Sequence, residues 1–277
     1  LKLFYIFLIM IVLPSFLVSQ EIKKIKDIEI DTLKYLSTDD IKTKYDPTSD
    51  AKSHIKTKPV QHLEAGFSAT SGNSKTTSFN AKYTFAHKTR IKSFDPMSYV
   101  LETSAFFSKD DGKTSAQEYK ALFNLKQPLP KKWLSYLSLG WLKNDFQNFL
   151  SKIDLSIGIG KVLYSDKKQS LIVKLGPAIN YERYKNGGSS SYSSLNEYIE
   201  YGYEAFTLSR IYLKIGAKEN FSDMSRDYEI NTLLGLNFKM DERLSFVCEY
   251  NAFYDNTPSE GFGKNDSKTV MRIGYSF

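Results

Sequence analysis

From Val60 to the carboxyl terminus the chain alternates apolar and polar residues with a period of two, in one segment after another. That period places successive side chains on opposite faces of a strand. Twelve segments read this way, at 60–70, 76–86, 98–108, 116–126, 133–143, 152–163, 169–181, 198–207, 210–221, 227–239, 243–254 and 267–277. Each runs for about ten to thirteen residues, longer than a typical soluble strand and close to what a tilted strand needs to cross a bilayer. An even strand number suits a bacterial single-chain barrel. The expected fold is therefore all-β: a transmembrane, antiparallel, up-and-down β-barrel of about twelve strands.

The connections agree. With the amino terminus of the barrel in the periplasm, the periplasmic links KQPLPKK, SDKKQ, LSR and MDER are tight, and HKTRIKSFDP is the longer exception. The outer links SKDDGKTS, KNDFQNFL, YKNGGSSSYSS, FSDMSRD and DNTPSEGFGKNDS are mostly longer and rich in Gly, Ser, Asn and Asp, while SGNS is short. Short turns inside and long loops outside are the usual asymmetry of such barrels. In the last segment, Met271, Ile273, Tyr275 and Phe277 share one face. A terminal Phe with Tyr two residues before it resembles the signal read by the bacterial barrel-assembly machinery, which is expected as a partner during insertion.

Alternation alone does not separate a membrane barrel from a soluble one, because only the direction of the apolar face differs. Glycine separates them. Gly66, Gly140, Gly158, Gly160, Gly176, Gly202, Gly216, Gly235 and Gly274 all fall on the polar face. A concave inner wall needs small residues where strands bend and side chains crowd, and a convex wetted surface does not. The polar face is thus expected to line a lumen and the apolar face to meet outer-membrane lipid. Slipping 227–239 by one residue would send Glu229, Asn231, Asn237 and Lys239 into hydrocarbon, at about 2–4 kcal/mol for a mid-bilayer Lys or Arg, so the register is held.

The inward set carries charges of both signs. Hairpin pairing about the loop centres predicts Glu64 opposite Lys82, Glu102 opposite Lys120, Lys218 opposite Glu229 and Glu249 opposite Arg272. Such a cross-linked interior favours a filled or narrow lumen, with an ion path as the alternative role for the same residues.

Residues 1–20 carry Lys2, an apolar run and small residues before a polar stretch, the pattern of a secretory signal peptide. Residues 21–59 read as a charged periplasmic leader, partly helical or disordered. Cys248 is the sole cysteine, so no internal disulfide is expected. The net charge of +7 is interspersed with acid and forms no basic stripe, which argues against nucleic acid. His54, His62 and His87 sit in no motif with a serine nucleophile or metal-ligand spacing, so no catalytic residue, cofactor or metal is expected.

The hairpin GFSATSGNSKTTSFNAKYTF, with Gly66, Gly72, Asn73 and Ser74, followed by long amphipathic strands to the terminal GYSF, resembles the DUF481 family. The likeness covers about residues 60–277. It implies an integral outer-membrane barrel, in a family that includes proteins described as salt-induced, and supplies no catalytic residues. The expected role is a non-enzymatic envelope protein linked to salt or osmotic stress. The alternatives are a small-solute or ion porin, and a binding protein presenting loops 187–194 and 257–267.

Overall fold

A computed structural model of the chain describes residues 59–69, 76–89, 97–110, 113–166, 168–206 and 208–277. The expected signal peptide and the leader as far as residue 58 lie outside the described residues. Twelve strands follow: β1 (Val60–Ala69), β2 (Thr76–Thr89), β3 (Met97–Asp110), β4 (Lys113–Leu129), β5 (Trp133–Asn144), β6 (Phe149–Ser165), β7 (Gln169–Tyr184), β8 (Ser189–Phe206), β9 (Ser209–Asn220), β10 (Tyr228–Lys239), β11 (Leu244–Asp255) and β12 (Asn265–Ser276). Each pairs antiparallel with its sequence neighbours, and β12 closes on β1 to make a complete barrel. Closure leaves no open sheet edge, which is the condition for a sheet to stand in hydrocarbon. The closing seam is the shortest ladder, with four residue pairs from His62 with Ser276 to Ala65 with Ile273.

Adjacent residues settle which face is which. In β6, Ser156 is 0% exposed and its neighbour Ile157 is 61% exposed; in β7, Asn180 is 0% and Ile179 66%. A soluble sheet would bury the isoleucines. Here the wall turns Leu63, Phe67, Leu101, Leu155, Leu175 and Leu236 outward as well, all of them exposed, while Glu64, Lys152, Glu182 and Arg272 are buried inside. The apolar surface is therefore the lipid-facing one, and the burial that favours folding comes from transfer into the bilayer, not from a central apolar core.

The nine strand glycines all lie on the inner face, and close approach explains Gly235. The Tyr212 ring lies directly over it from β9, where a side chain at 235 would collide with the ring. Gly158 and Gly176 likewise meet backbone to backbone between β6 and β7.

Several strands outrun the sequence pattern. β8 begins at Ser189 rather than 198, so most of the expected loop 187–194 is strand. Its inward side chains are Tyr192, Ser194 and Asn196, and its outward ones at this end include Ser191 and Ser193. Outward serines carry no apolar alternation, because a strand that rises past the hydrocarbon has no reason to be greasy there. The hairpin turns at Gly187 and Gly188, with φ of +96° and +85°, values that L side chains rarely adopt.

Candidate functional site

The lumen has two ends, one holding the start of β1 and the end of β12, here the terminal end, and the opposite or far end. At the terminal end inward side chains from around the wall are buried, among them His62, Ala86, Ser98, Leu134, Ser209 and Ser245. Leu134, Tyr136, Val162 and Ile172 form an apolar cluster there, with Tyr198 packed on it. Most inward residues at this end are small or apolar, and Ser98, Leu134, Tyr136 and Ile172 also line the lumen cavity.

One charged network lines β11, β12, β1, β2 and β3. The Arg272 guanidinium donates from Nε to Glu64 and from Nη2 to Glu249. Lys82 Nζ lies 3.2 Å from Glu102 and 3.8 Å from Glu249, and the Tyr212 hydroxyl donates to Glu249 at 2.7 Å. Two cations are thus each held between two carboxylates. Buried charge requires such pairing, since an unpartnered ion inside a wall costs several kcal/mol.

The register places Glu64 opposite Lys82 and Lys218 opposite Glu229, the latter pair 3.5 Å apart. Two expected pairs are corrected. Glu102 stands opposite Leu122, with Lys120 opposite Ser104, because the turn register and a bulge after Ser108 each move the ladder by one residue. Glu249 stands opposite Val270, with Arg272 opposite Val247, because β12 starts at Asn265 and moves the hairpin centre. Arg272 reaches Glu249 diagonally all the same.

Besides Lys82 with Glu249, which skips β1 and β12, three ion pairs among the described residues join strands further apart. Lys268 of β12 meets Glu118 of β4 at 2.5 Å, Lys152 of β6 meets Glu229 of β10 at 2.5 Å, and Lys126 of β4 meets Glu200 of β8 at 3.5 Å. Each skips three intervening strands, so each crosses the lumen as a strut. By strand position, the first two lie toward the far end and the third toward the terminal end. The Lys152 strut also ties together two cross-strand pairs, giving the chain Glu182, Lys152, Glu229 and Lys218. Sequence pattern reveals which residues face inward, but not these chords, which depend on barrel closure.

Between the struts lies a cavity of about 580 Å³. Its wall includes Lys120, Lys126, Lys174, Lys214, Glu200 and Tyr198. Glu200 is the focus: Lys174 Nζ is 2.5 Å away, Lys126 reaches it across the lumen, and Lys214 is its direct partner on β9. Lys174 also sits 5.3 Å from the Tyr136 ring centroid and 4.8 Å from that of Tyr198, a cation–π clamp.

His62 is buried, with Nδ1 2.8 Å from Ser276 Oγ and Nε2 3.5 Å from Glu64. His87 points the other way, its ring 5.3 Å from that of Tyr99. Tyr275 and Phe277 are exposed on the outer face with ring centroids 5.9 Å apart, and the Phe277 N–H donates to the Gln61 carbonyl at 3.1 Å.

A closed antiparallel wall, greasy outside and ionised within, defines an integral β-barrel protein of the bacterial outer membrane. The chain belongs to the family described as a protein of unknown function, DUF481, whose pattern matches residues 63–277. It is similar to an uncharacterized protein, YdiY, of Escherichia coli strain K12, at 22% identity over 250 residues, covering 88% of this chain and 92% of that one. Among solved structures it is similar to the NanC porin, with 10% identity, a TM-score of 0.47 and coverage of 79% of this chain and 98% of that one. It is also similar to the COG4313 outer membrane channel from Pseudomonas putida F1, with 11% identity, a TM-score of 0.47 and coverage of 82% and 99%.

Proposed function

We propose that this protein is a non-enzymatic outer-membrane barrel whose lumen is latched rather than open. The observation that carries the reading is the set of three lysine–carboxylate struts across the lumen, at Lys268, Lys152 and Lys126. The packed terminal end supports it, since a general diffusion pore needs a continuous aqueous path. Purified protein in planar bilayers is expected to give no stable unitary steps. Steady steps of an open pore from the wild-type chain would overturn the proposal.

The link to salt or osmotic stress is part of the same proposal. Ionic strength weakens ion pairs that water can reach, the Debye length falling from ~10 Å at 0.1 M to ~3 Å at 1 M. The Lys126–Glu200 strut is of this kind, its side chains 28% and 18% exposed. Loss of the protein should slow growth in high-salt medium, and unchanged growth would remove the link. A second reading, passage of small solutes, is favoured by the cavity between the struts; swelling of protein-loaded liposomes in small sugars would support it.

We also assign the ends of the barrel domain to the periplasm and Tyr275 with Phe277 to recognition by the assembly machinery. Deleting Phe277 should lower the yield of inserted barrel. Full insertion of that variant would remove the assignment.

A further inference from the structure

We propose that the lysine group around Glu200 is a binding site for a small organic anion carrying two or more carboxylate or phosphate groups. The inference rests on the latched-lumen reading, because only an enclosed lumen makes these lysines a site. Lys126, Lys174 and Lys214 converge on one carboxylate from three directions: across the lumen, diagonally from β7 and directly from β9. Lys120 lines the same cavity, six residues before Lys126 on the same strand and the same face. Three ammonium groups therefore share Glu200, and a fourth stands on the same cavity wall.

The other glutamates of the cavity are held by other lysines. Glu102 is held by Lys82, Glu118 by Lys268, and Glu229 by Lys152 and Lys218. Asp154 and Asp266 line the cavity nearer the far ends of their strands, and neither makes an ion pair with a described residue. Lys120 and Lys214 likewise make no ion pair within 4 Å among the described residues, although both act electrostatically on Glu102 and Lys214 also on Glu200. A bare solvated lysine face would also leave ammonium groups unpaired, but it would leave them in water. Here the Lys174 side chain is 7% exposed and the Glu200 side chain 18%, and Lys214 is half-buried, while Lys120 is exposed to the lumen. Positive charge drawn together inside a wall is relieved by an incoming anion, and charge-assisted hydrogen bonds to its oxygens are the strong kind.

Geometry adds shape to charge. A volume of about 580 Å³ is in the range of small-molecule sites. The Tyr136 and Tyr198 rings meet edge to face at 6.2 Å and hold the Lys174 ammonium between them, so one cationic anchor is fixed before any ligand arrives.

The test uses the detergent-solubilised full barrel, with citrate and inorganic phosphate as probes in calorimetric titrations at low ionic strength. Saturable citrate binding is expected, with the uncharged triethyl ester silent. Lys120→Met and Lys214→Met remove ammonium groups that hold no structural ion pair, and each should weaken citrate by about tenfold. Lys214→Arg keeps the charge and should retain most of the affinity, which separates loss of a contact from loss of fold. Phosphate binding without citrate binding, with the same variant pattern, would keep the site and assign it to phosphorylated solutes. No saturable binding of either probe, or binding indifferent to both methionine variants, would overturn the inference. Bilayer silence with no anion binding would sink this site alone, whereas steady conductance would sink the latched reading whether or not citrate binds.

Discussion

The two sides of the lumen use the same residue types and reach opposite charge balances. On the side built by β11, β12, β1, β2 and β3, Glu64, Glu102 and Glu249 enclose Lys82 and Arg272, and each cation is shared by two carboxylates. On the side built by β4, β7, β8 and β9, the proportion is inverted, with three lysines sharing Glu200. Opposite-charge pairing explains the first side completely as structure. It does not explain the second, where Lys120 and Lys214 face a cavity without an ion pair among the described residues. Inward charge in a barrel wall is thus of two kinds: charge that locks strands, and charge available to a solute.

The widest separation between the sides should come from Arg272. Arg272→Leu removes the cation shared by two buried carboxylates, leaving Glu249 with Lys82 at 3.8 Å and the Tyr212 hydroxyl but Glu64 without its guanidinium. Breaking a buried pair in this way costs about 3–5 kcal/mol. Urea unfolding of the refolded barrel in micelles, followed by the fluorescence of Trp133 and Trp141, reads it directly. A loss below about 1 kcal/mol, the scale of a surface ion pair, would erase the distinction between the two sides.

The sequence made one half of this comparison visible and hid the other. Period two is a property of each strand by itself, so the inward placement of Glu64, Lys82, Glu200 and Lys214 could be read without a structure. Hairpin register depends on the turn, and two of four expected pairs differ by two residues, one through the turn register together with the one-residue bulge after Ser108 and the other through the early start of β12. The first residues of β8, from Ser189, carry no period-two signal because their outward serines lie beyond the greasy band that makes alternation detectable. Glu200 escaped notice as a focus for a third reason. Lys126 is 74 residues away, and the two meet only once the sheet has closed.

The outer wall supplies the next largest effect and calibrates the inner ones. Ile157 lies midway along β6 and is 61% exposed to the lipid side, so Ile157→Arg should cost about 2–4 kcal/mol. The same unfolding assay measures it. An Arg tolerated there without loss would mean that the apolar face does not meet hydrocarbon, and the inside–outside assignment on which both charged walls depend would fall with it.

On the lysine-rich side the expected stability change is small, and that smallness is diagnostic. Lys214→Met removes one of three cations sharing Glu200 and leaves Lys174 at 2.5 Å. Relief of repulsion offsets the lost attraction, so unfolding should shift by less than about 1 kcal/mol in either direction. A loss as large as that of Arg272→Leu would make Lys214 a structural latch and the two sides alike.

The smallest effect belongs to a charge outside both walls. Asp241 sits in the turn between β10 and β11, fully exposed, and its Oδ1 accepts the backbone N–H groups of Arg243 and Leu244, both at 2.7 Å. Those two bonds favour the ionised form and hold the carboxyl below its ordinary value. Asp166 caps the turn before β7 in the same way, at 2.7 Å from Lys168 N and 2.8 Å from Gln169 N. A carboxyl lowered on folding contributes stability that is fully present above its unfolded value and is lost as pH falls through the folded one. Asp241→Ala should therefore unfold slightly earlier than wild type at neutral pH, with the gap closing as pH falls below about 4. Arg272→Leu depends on burial rather than on one exposed carboxylate, so its deficit should outlast that of Asp241→Ala on acidification. If the two deficits vanished together, turn and lumen charges would share one environment, and the division between locked and available charge would have no physical basis.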